Sequence, residues 1–221
     1  MKGICFILCS VVLGFFSDSP KEASDAISFI NENKSSIHQS LKSLSSEEQL
    51  IAISIVAPEI SQFSSFQNFL ELRTLFVMYL NTGQSDFSVG YFQMKPSFIE
   101  LMEKKVKSSS LLTKEYKDVI PKGSMRAKRK FRLERLGSLQ GQLRYLKLFI
   151  DIVKINTSSI NFNNFETKLK YWATLYNSGL DLQEPDVLTR QGQKLFPRYE
   201  KKYNYSSIAL EFYHELKKNG W

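Results

Sequence analysis

The chain has 221 residues, 43% of them hydrophobic, which allows a sizeable buried core and excludes a disordered polymer. Seventeen Phe and ten Tyr stand against ten Gly and six Pro, a balance that favours long helices over a turn-rich sandwich. The formal net charge of +8 suits an anionic partner, whether nucleic acid, a membrane surface or a cell-wall polymer, and does not choose among them.

The N-terminus narrows the choice. Lys2 precedes an apolar run from Ile4 to Phe16, and the polar Ser17-Asp18-Ser19-Pro20 follows. A basic start, a short apolar core and a polar exit describe a secretory signal peptide, placed at residues 1–19. The run is too short for a comfortable transmembrane span. The expected location is therefore secreted or periplasmic. Both cysteines, Cys5 and Cys9, fall inside this segment, so the exported chain has no disulfide and no cysteine metal site. His38 and His214 are far apart, each on a polar helical stretch, and read as exposed helix residues. No metal, no cofactor and no Ser-His-Asp triad is expected.

The rest reads as all-α, a single domain over residues 20–221. Ser45 to Glu48 has capping-box spacing and opens a helix through Leu50, Ile51, Ile53, Ile55 and Val56, apolar on most faces and hence central. Pro58 removes a helical hydrogen bond, so this helix is expected to kink or end near Ala57, with Glu59 at the break. An amphipathic helix is expected from Ser65 to Leu80, stopped by Asn81-Thr82-Gly83. Pro96 can open the next one at its first position. Residues 104–135 are strongly basic. A long helix follows over Leu139 to Val153, another carries Phe165, Leu169, Trp172 and Tyr176 on one stripe until Gly179, and a last one spans Ser206 to Lys218.

Three short elements carry the chemistry. Glu59 follows a stretch destined for the core, where a carboxylate is costly without a task or a partner. Gly90-Tyr91-Phe92-Gln93-Met94-Lys95-Pro96-Ser97 brings a glycine, an amide that both donates and accepts, and a helix start. Tyr176-Asn177-Ser178-Gly179 closes the aromatic stripe.

Taken in this order, the three elements resemble the active site of lysozyme-like lytic transglycosylases. That family has a glutamate at a helix end, then Gly-x-Met-Gln-x-x-Pro-Ser, then Tyr-Asn-x-Gly. Phe92 replaces the usual Met, and Phe87-Ser88 stands where the family has Gly-Ala. The resemblance covers about residues 45–100 and 139–180, including a Tyr-Leu pair matched by Tyr145-Leu146. It implies a lysozyme-like helical domain, with the basic segment from Leu111 to Gly137 as a helical insertion.

It also implies cleavage of peptidoglycan strands at the bond between N-acetylmuramic acid and N-acetylglucosamine. Hydrolases of this bond usually use two carboxylates. The resemblance implies one glutamate that is first acid and then base, as the muramoyl 6-hydroxyl closes a 1,6-anhydro ring. Glu59 is the expected acid/base. Glu71 is its rival, nearer to the family's spacing from Gln93 yet set mid-helix. Ser88, Gly90, Gln93, Tyr176 and Asn177 are the expected substrate-binding residues, Gly90 by letting the backbone approach a sugar.

The alternatives are a non-catalytic peptidoglycan-binding or envelope scaffold protein of the same fold, and a lysozyme-type hydrolase. A nucleic-acid grip through Arg126 to Phe131 has suitable chemistry. The signal peptide argues against it, and such a run is usually a solvated helix face. No nucleic-acid partner is expected.

Overall fold

The computed structural model describes residues 23–63, 77–84, 87–198 and 201–221, and it is all-α apart from one short hairpin. The expected signal segment lies outside the described residues. So do Glu71 and most of the helix expected from Ser65 to Leu80, of which residues 77–82 are described as helical.

In chain order the helices are α1 (Ala23–Glu32), α2 (Lys34–Leu41), α3 (Ser46–Gln62), α4 (Pro96–Ser108) and α5 (Ser110–Glu115). After a 3-10 turn at Lys117–Val119 come α6 (Met125–Leu136), α7 (Leu139–Asn156), α8 (Phe165–Ser178) and α9 (Glu184–Gln191). The strands β1 (Phe196–Arg198) and β2 (Lys201–Tyr203) then pair antiparallel, with Phe196 opposite Tyr203, and α10 (Tyr205–Lys218) closes the chain.

α3 is the axis of the fold. Its capping box forms as the sequence indicates: Ser45 Oγ accepts from the Glu48 N–H at 3.2 Å, and the Glu48 carboxylate accepts from the Ser45 N–H at 3.0 Å. Every residue from Leu50 to Pro58 is buried, so all faces of the helix are covered. α1, α7, α8 and α10 pack around it.

The helix does not end at Pro58. α3 runs on through Pro58 to Gln62, so Glu59 sits in its last turn. A proline inside a helix costs about 3 kcal/mol. Each fully buried Ile or Leu contributes about 1.5–3 kcal/mol. Ile60, 2% exposed, lies beyond the proline, and its burial offsets much of that cost.

The basic segment is tied into the body by its own charges. Arg132 is 7% exposed and grips Glu103 with two hydrogen bonds, Nε to Oε1 at 2.8 Å and Nη2 to Oε2 at 2.7 Å. Its third nitrogen reaches Glu100 at 2.6 Å and the Tyr79 hydroxyl at 2.9 Å. Arg129 donates to the Leu80 carbonyl and Arg126 to Asn81, so α6 fastens the end of the 77–82 helix. A solvated face is thus the wrong account of Arg132, and it fits Arg126 and Lys130, which are exposed.

His38 is likewise half-buried, against expectation. Its Nδ1 lies 2.7 Å from Gln49 Oε1, and Trp221 stacks on its ring at 4.8 Å. Among the described residues, no helix is long and apolar enough to cross a membrane, and no cluster of three His, Cys, Asp or Glu could hold a metal.

Candidate active site

The last turn of α3, the loop before α4, the first turns of α4 and the end of α8 line one cleft of about 570 Å³. Glu59, Ser88, Gln93, Tyr176 and Asn177 all line it. Met94, Phe98, Leu101 and Leu180 add an apolar surface, and Lys95, Ser97 and Ser178 add polar groups. Apolar faces mixed with amides and hydroxyls suit a sugar ring.

The loop is a tight device. The Val89 N–H donates to the Met94 carbonyl at 3.0 Å, and Met94 returns the bond at 3.1 Å. Closing the chain between them takes two left-handed residues, Gly90 at φ +76° and Gln93 at φ +47°. A glutamine in that region is strained, and such strain collects at functional sites. The Gln93 side chain steadies its own turn by donating Nε2 to the Gly90 carbonyl at 2.7 Å. One amide hydrogen is used there, and a second N–H and a carbonyl oxygen belong to the same group. Tyr91 packs between Phe29 of α1 and Phe63 after α3, with ring centroids at 4.4 and 4.5 Å. Val89, Phe92 and Met94 point into the core.

Gln142 on α7 holds this loop, and sequence reasoning missed it. It is 1% exposed. Its Oε1 accepts from the Phe92 N–H at 2.8 Å, and its Nε2 donates to the Leu136 carbonyl at 2.9 Å. Tyr176 takes the other side of the same residue, donating its hydroxyl to the Phe92 carbonyl at 2.6 Å. The Phe92 N–H and C=O are therefore clamped from α7 and α8. Gly90 lies behind the cleft wall, buried, and does not line the cleft. A Cβ on it would fall 2.0 Å from Gln142 Nε2. Its need for glycine thus comes from Gln142 and from its own φ, a different cause from the expected approach of a sugar.

Glu59 faces the cleft from the last turn of α3. Burial pushes its carboxyl up from 4.5 to about 8, and a hydrogen bond with the Tyr205 hydroxyl opposes that rise. The C-terminal end of a helix, with its partial negative charge, also disfavours a carboxylate. Tyr205 begins α10 and is buried, and its hydroxyl lies 2.7 Å from the Ile55 carbonyl, to which it donates. The β1–β2 hairpin delivers it, with Phe196 edge-on to its ring at 4.9 Å. Sequence reasoning missed Tyr205 as well. The chain has ten tyrosines, and local sequence does not single this one out.

Tyr176 is buried between Phe98 and Phe149, edge-on to both. Its hydroxyl is pushed well above the ordinary tyrosine value by burial and then by the Glu59 charge, so the two groups sit within electrostatic reach. Tyr145 is buried on α7, does not line the cleft, and has no hydrogen-bond partner for its hydroxyl among the described residues.

Among the described residues the arrangement offers one carboxyl, protonated at neutral pH, in a cleft of mixed polarity with an amide-bearing loop. It can donate a proton to a bound oxygen and take one back. Comparison with protein-family models, with curated proteins and with solved structures finds no match to this chain.

Proposed function

We propose that this chain is an exported lytic transglycosylase of peptidoglycan, with Glu59 as its single acid/base. One observation carries the reading. The carboxyl held at about 8 shares a cleft with Ser88, Gln93, Tyr176 and Asn177, the residues that the resemblance pairs with it.

The chemistry follows from that pKa. Below about pH 8 Glu59 holds its proton, ready for the glycosidic oxygen. As the bond from that oxygen to the muramoyl C1 breaks, the proton goes to the leaving sugar. Glu59 is then a carboxylate in a poorly solvated place, where the charge is costly. It takes the proton of the muramoyl 6-hydroxyl, and O6 bonds to C1. The products are a 1,6-anhydromuramoyl end and a free 4-hydroxyl, and Glu59 regains its acid form.

The test is mass spectrometry of soluble muropeptides released from purified sacculi by the wild type and by Glu59→Gln. Anhydro-muropeptides from the wild type, absent with Glu59→Gln, support the proposal. Reducing-end products would indicate a hydrolase. Sacculus binding with no release from either protein would indicate a non-catalytic binding module. Loss with Glu71→Gln alone would move the acid/base to Glu71.

A further inference from the structure

Charge is unevenly spread along the chain. Residues 104–135 contain twelve Lys and Arg against three Asp and Glu, a surplus of nine where the whole chain has a net +8. The remainder is close to neutral, so the basic field of the molecule has one source.

The three acids of this segment are all engaged. Asp118 takes Arg135 of α6 at 3.1 Å and Arg144 of α7 at 2.6 Å. Glu115 pairs with Lys147 of α7, and Glu134 with Lys130 one turn away at 3.6 Å. The first two fasten the end of α5 and the 3-10 turn to α6 and α7, which makes the segment a fixed part of the surface. Six of its lysines are left over. Among the described residues, the side chains of Lys104, Lys107, Lys114, Lys117, Lys122 and Lys128 make no ion pair, and all but Lys128 are exposed.

Two apolar side chains stand among these lysines. Leu111 is 76% exposed, more than any other large hydrophobic among the described residues, and Met125 is 58% exposed. In the chain, Leu111 lies between Lys107 and Lys114, and Met125 between Lys122 and Lys128. The core takes Leu112, Tyr116, Val119, Leu133 and Leu136 from the same segment and leaves these two outside. A lone exposed leucine is ordinary. Two apolar tips bracketed by unpaired lysines match an anionic lipid surface, where ammoniums meet the headgroups and apolar groups sink below them. A soluble polyanion would use the lysines and leave the tips idle.

Independently of the glycan-cleaving reading above, we infer that α5, the turn after it and the start of α6 dock on an anionic membrane surface, with Leu111 and Met125 entering the headgroup layer.

The full chain is titrated with vesicles of phosphatidylcholine alone and with vesicles containing about one-third phosphatidylglycerol. Binding is expected to the anionic vesicles and to weaken with salt. Each lysine near such a surface favours partitioning about fivefold, so changing Lys107, Lys114, Lys122 and Lys128 together to Gln should lower it at least about 100-fold. Leu111→Ser combined with Met125→Ser should lower it about tenfold and leave the salt dependence in place. The changed side chains are exposed or half-buried, so melting curves should match the parent's. Hydrogen exchange on the vesicle should protect residues 104–136. Protection confined to the apolar N-terminal run overturns the inference, as does equal binding to neutral vesicles or binding to neither. So does polyphosphate bound as tightly as the vesicles with no effect of the Leu111 and Met125 changes, which would mark a polyanion site. Muropeptide release is scored separately, so either reading can fail while the other stands.

Discussion

Two carboxyls, one buried and one half-buried at a cleft, define two kinds of region in this molecule. Glu103 is 2% exposed and meets the Arg132 guanidinium with two hydrogen bonds. Burial works against the Arg132 charge, the bonds to Glu103 more than offset it, and the guanidinium ends up held above its ordinary value. Among the described residues, no cation is among the groups that shift Glu59. Its hydrogen-bonding neighbour is a neutral tyrosine, and burial leaves it protonated at neutral pH. The first carboxyl is matched and serves to join α4, α6 and the 77–82 helix. The second is unmatched and lies at a cleft, which is where a group that must give up and regain a proton is useful.

The largest expected effect falls on Glu59. Glu59→Gln should cut turnover about 10³-fold, read as muropeptide release. Stability should move the other way. A carboxyl whose folded pKa is raised contributes fully below its unfolded value of 4.5, and that contribution is lost as pH rises through about 8. Glutamine never ionises. The variant should therefore melt roughly 10 °C above the wild type at pH 9 and within about 2 °C of it at pH 4. A wild type as stable at pH 9 as the variant would erase the contrast with Glu103.

Glu103→Ala should act oppositely, lowering stability and sparing chemistry. It leaves a guanidinium buried with half its partners, a loss of about 3–5 kcal/mol, or roughly 10 °C. Turnover per folded molecule should stay within about twofold at low temperature, since Glu103 does not line the cleft. Replacing Arg132 and Glu103 together with Met and Leu should recover most of the loss.

Gly90→Ala comes next, at about 2–3 kcal/mol. The new methyl meets the Gln142 amide and a φ of +76° at once. Combining it with Gln142→Ala should give less than the sum of the two losses, because one clash is removed and the φ strain remains. Full additivity would mean that Gln142 does not set the Gly90 requirement.

The sequence revealed these regions unequally. The capping box at Ser45, the proline start of α4 and the glycine end of α8 are local signals, and all three are present as expected. The clustering of Glu59, Ser88, Gln93, Tyr176 and Asn177 was legible through motif order alone. What was not legible depends on distant contacts. Continuation of α3 through Pro58 is decided by helices that surround it, and no proline rule contains them. The cation-rich look of α6 hides that Arg132 finds its acids in α4. Gln142 and Tyr205 act from helices outside the motifs, and a lone Gln or Tyr has no pattern to announce it.

Tyr205→Phe is the smallest and the sharpest of these changes. The hydroxyl has a single proton: it donates to the Ile55 carbonyl while Glu59 is protonated and can turn that proton to the ionised carboxylate, the bond that lowers that carboxyl's pKa. Removing it should raise the Glu59 pKa above about 8 and move the alkaline limb of the pH–rate profile upward by less than about one unit. The stability cost should be near 1 kcal/mol, the usual worth of one net hydrogen bond. At pH 7 Glu59 is mostly protonated with or without the hydroxyl, so the rate there should change only through geometry. A shift of the limb with little change at pH 7 would mark Tyr205 as a group that tunes the acid. A large loss at pH 7 with the limb unmoved would mark it as a group that positions the carboxyl instead. Either outcome separates Tyr205 from Tyr176, whose hydroxyl proton is committed to the Phe92 carbonyl and whose removal should loosen the loop.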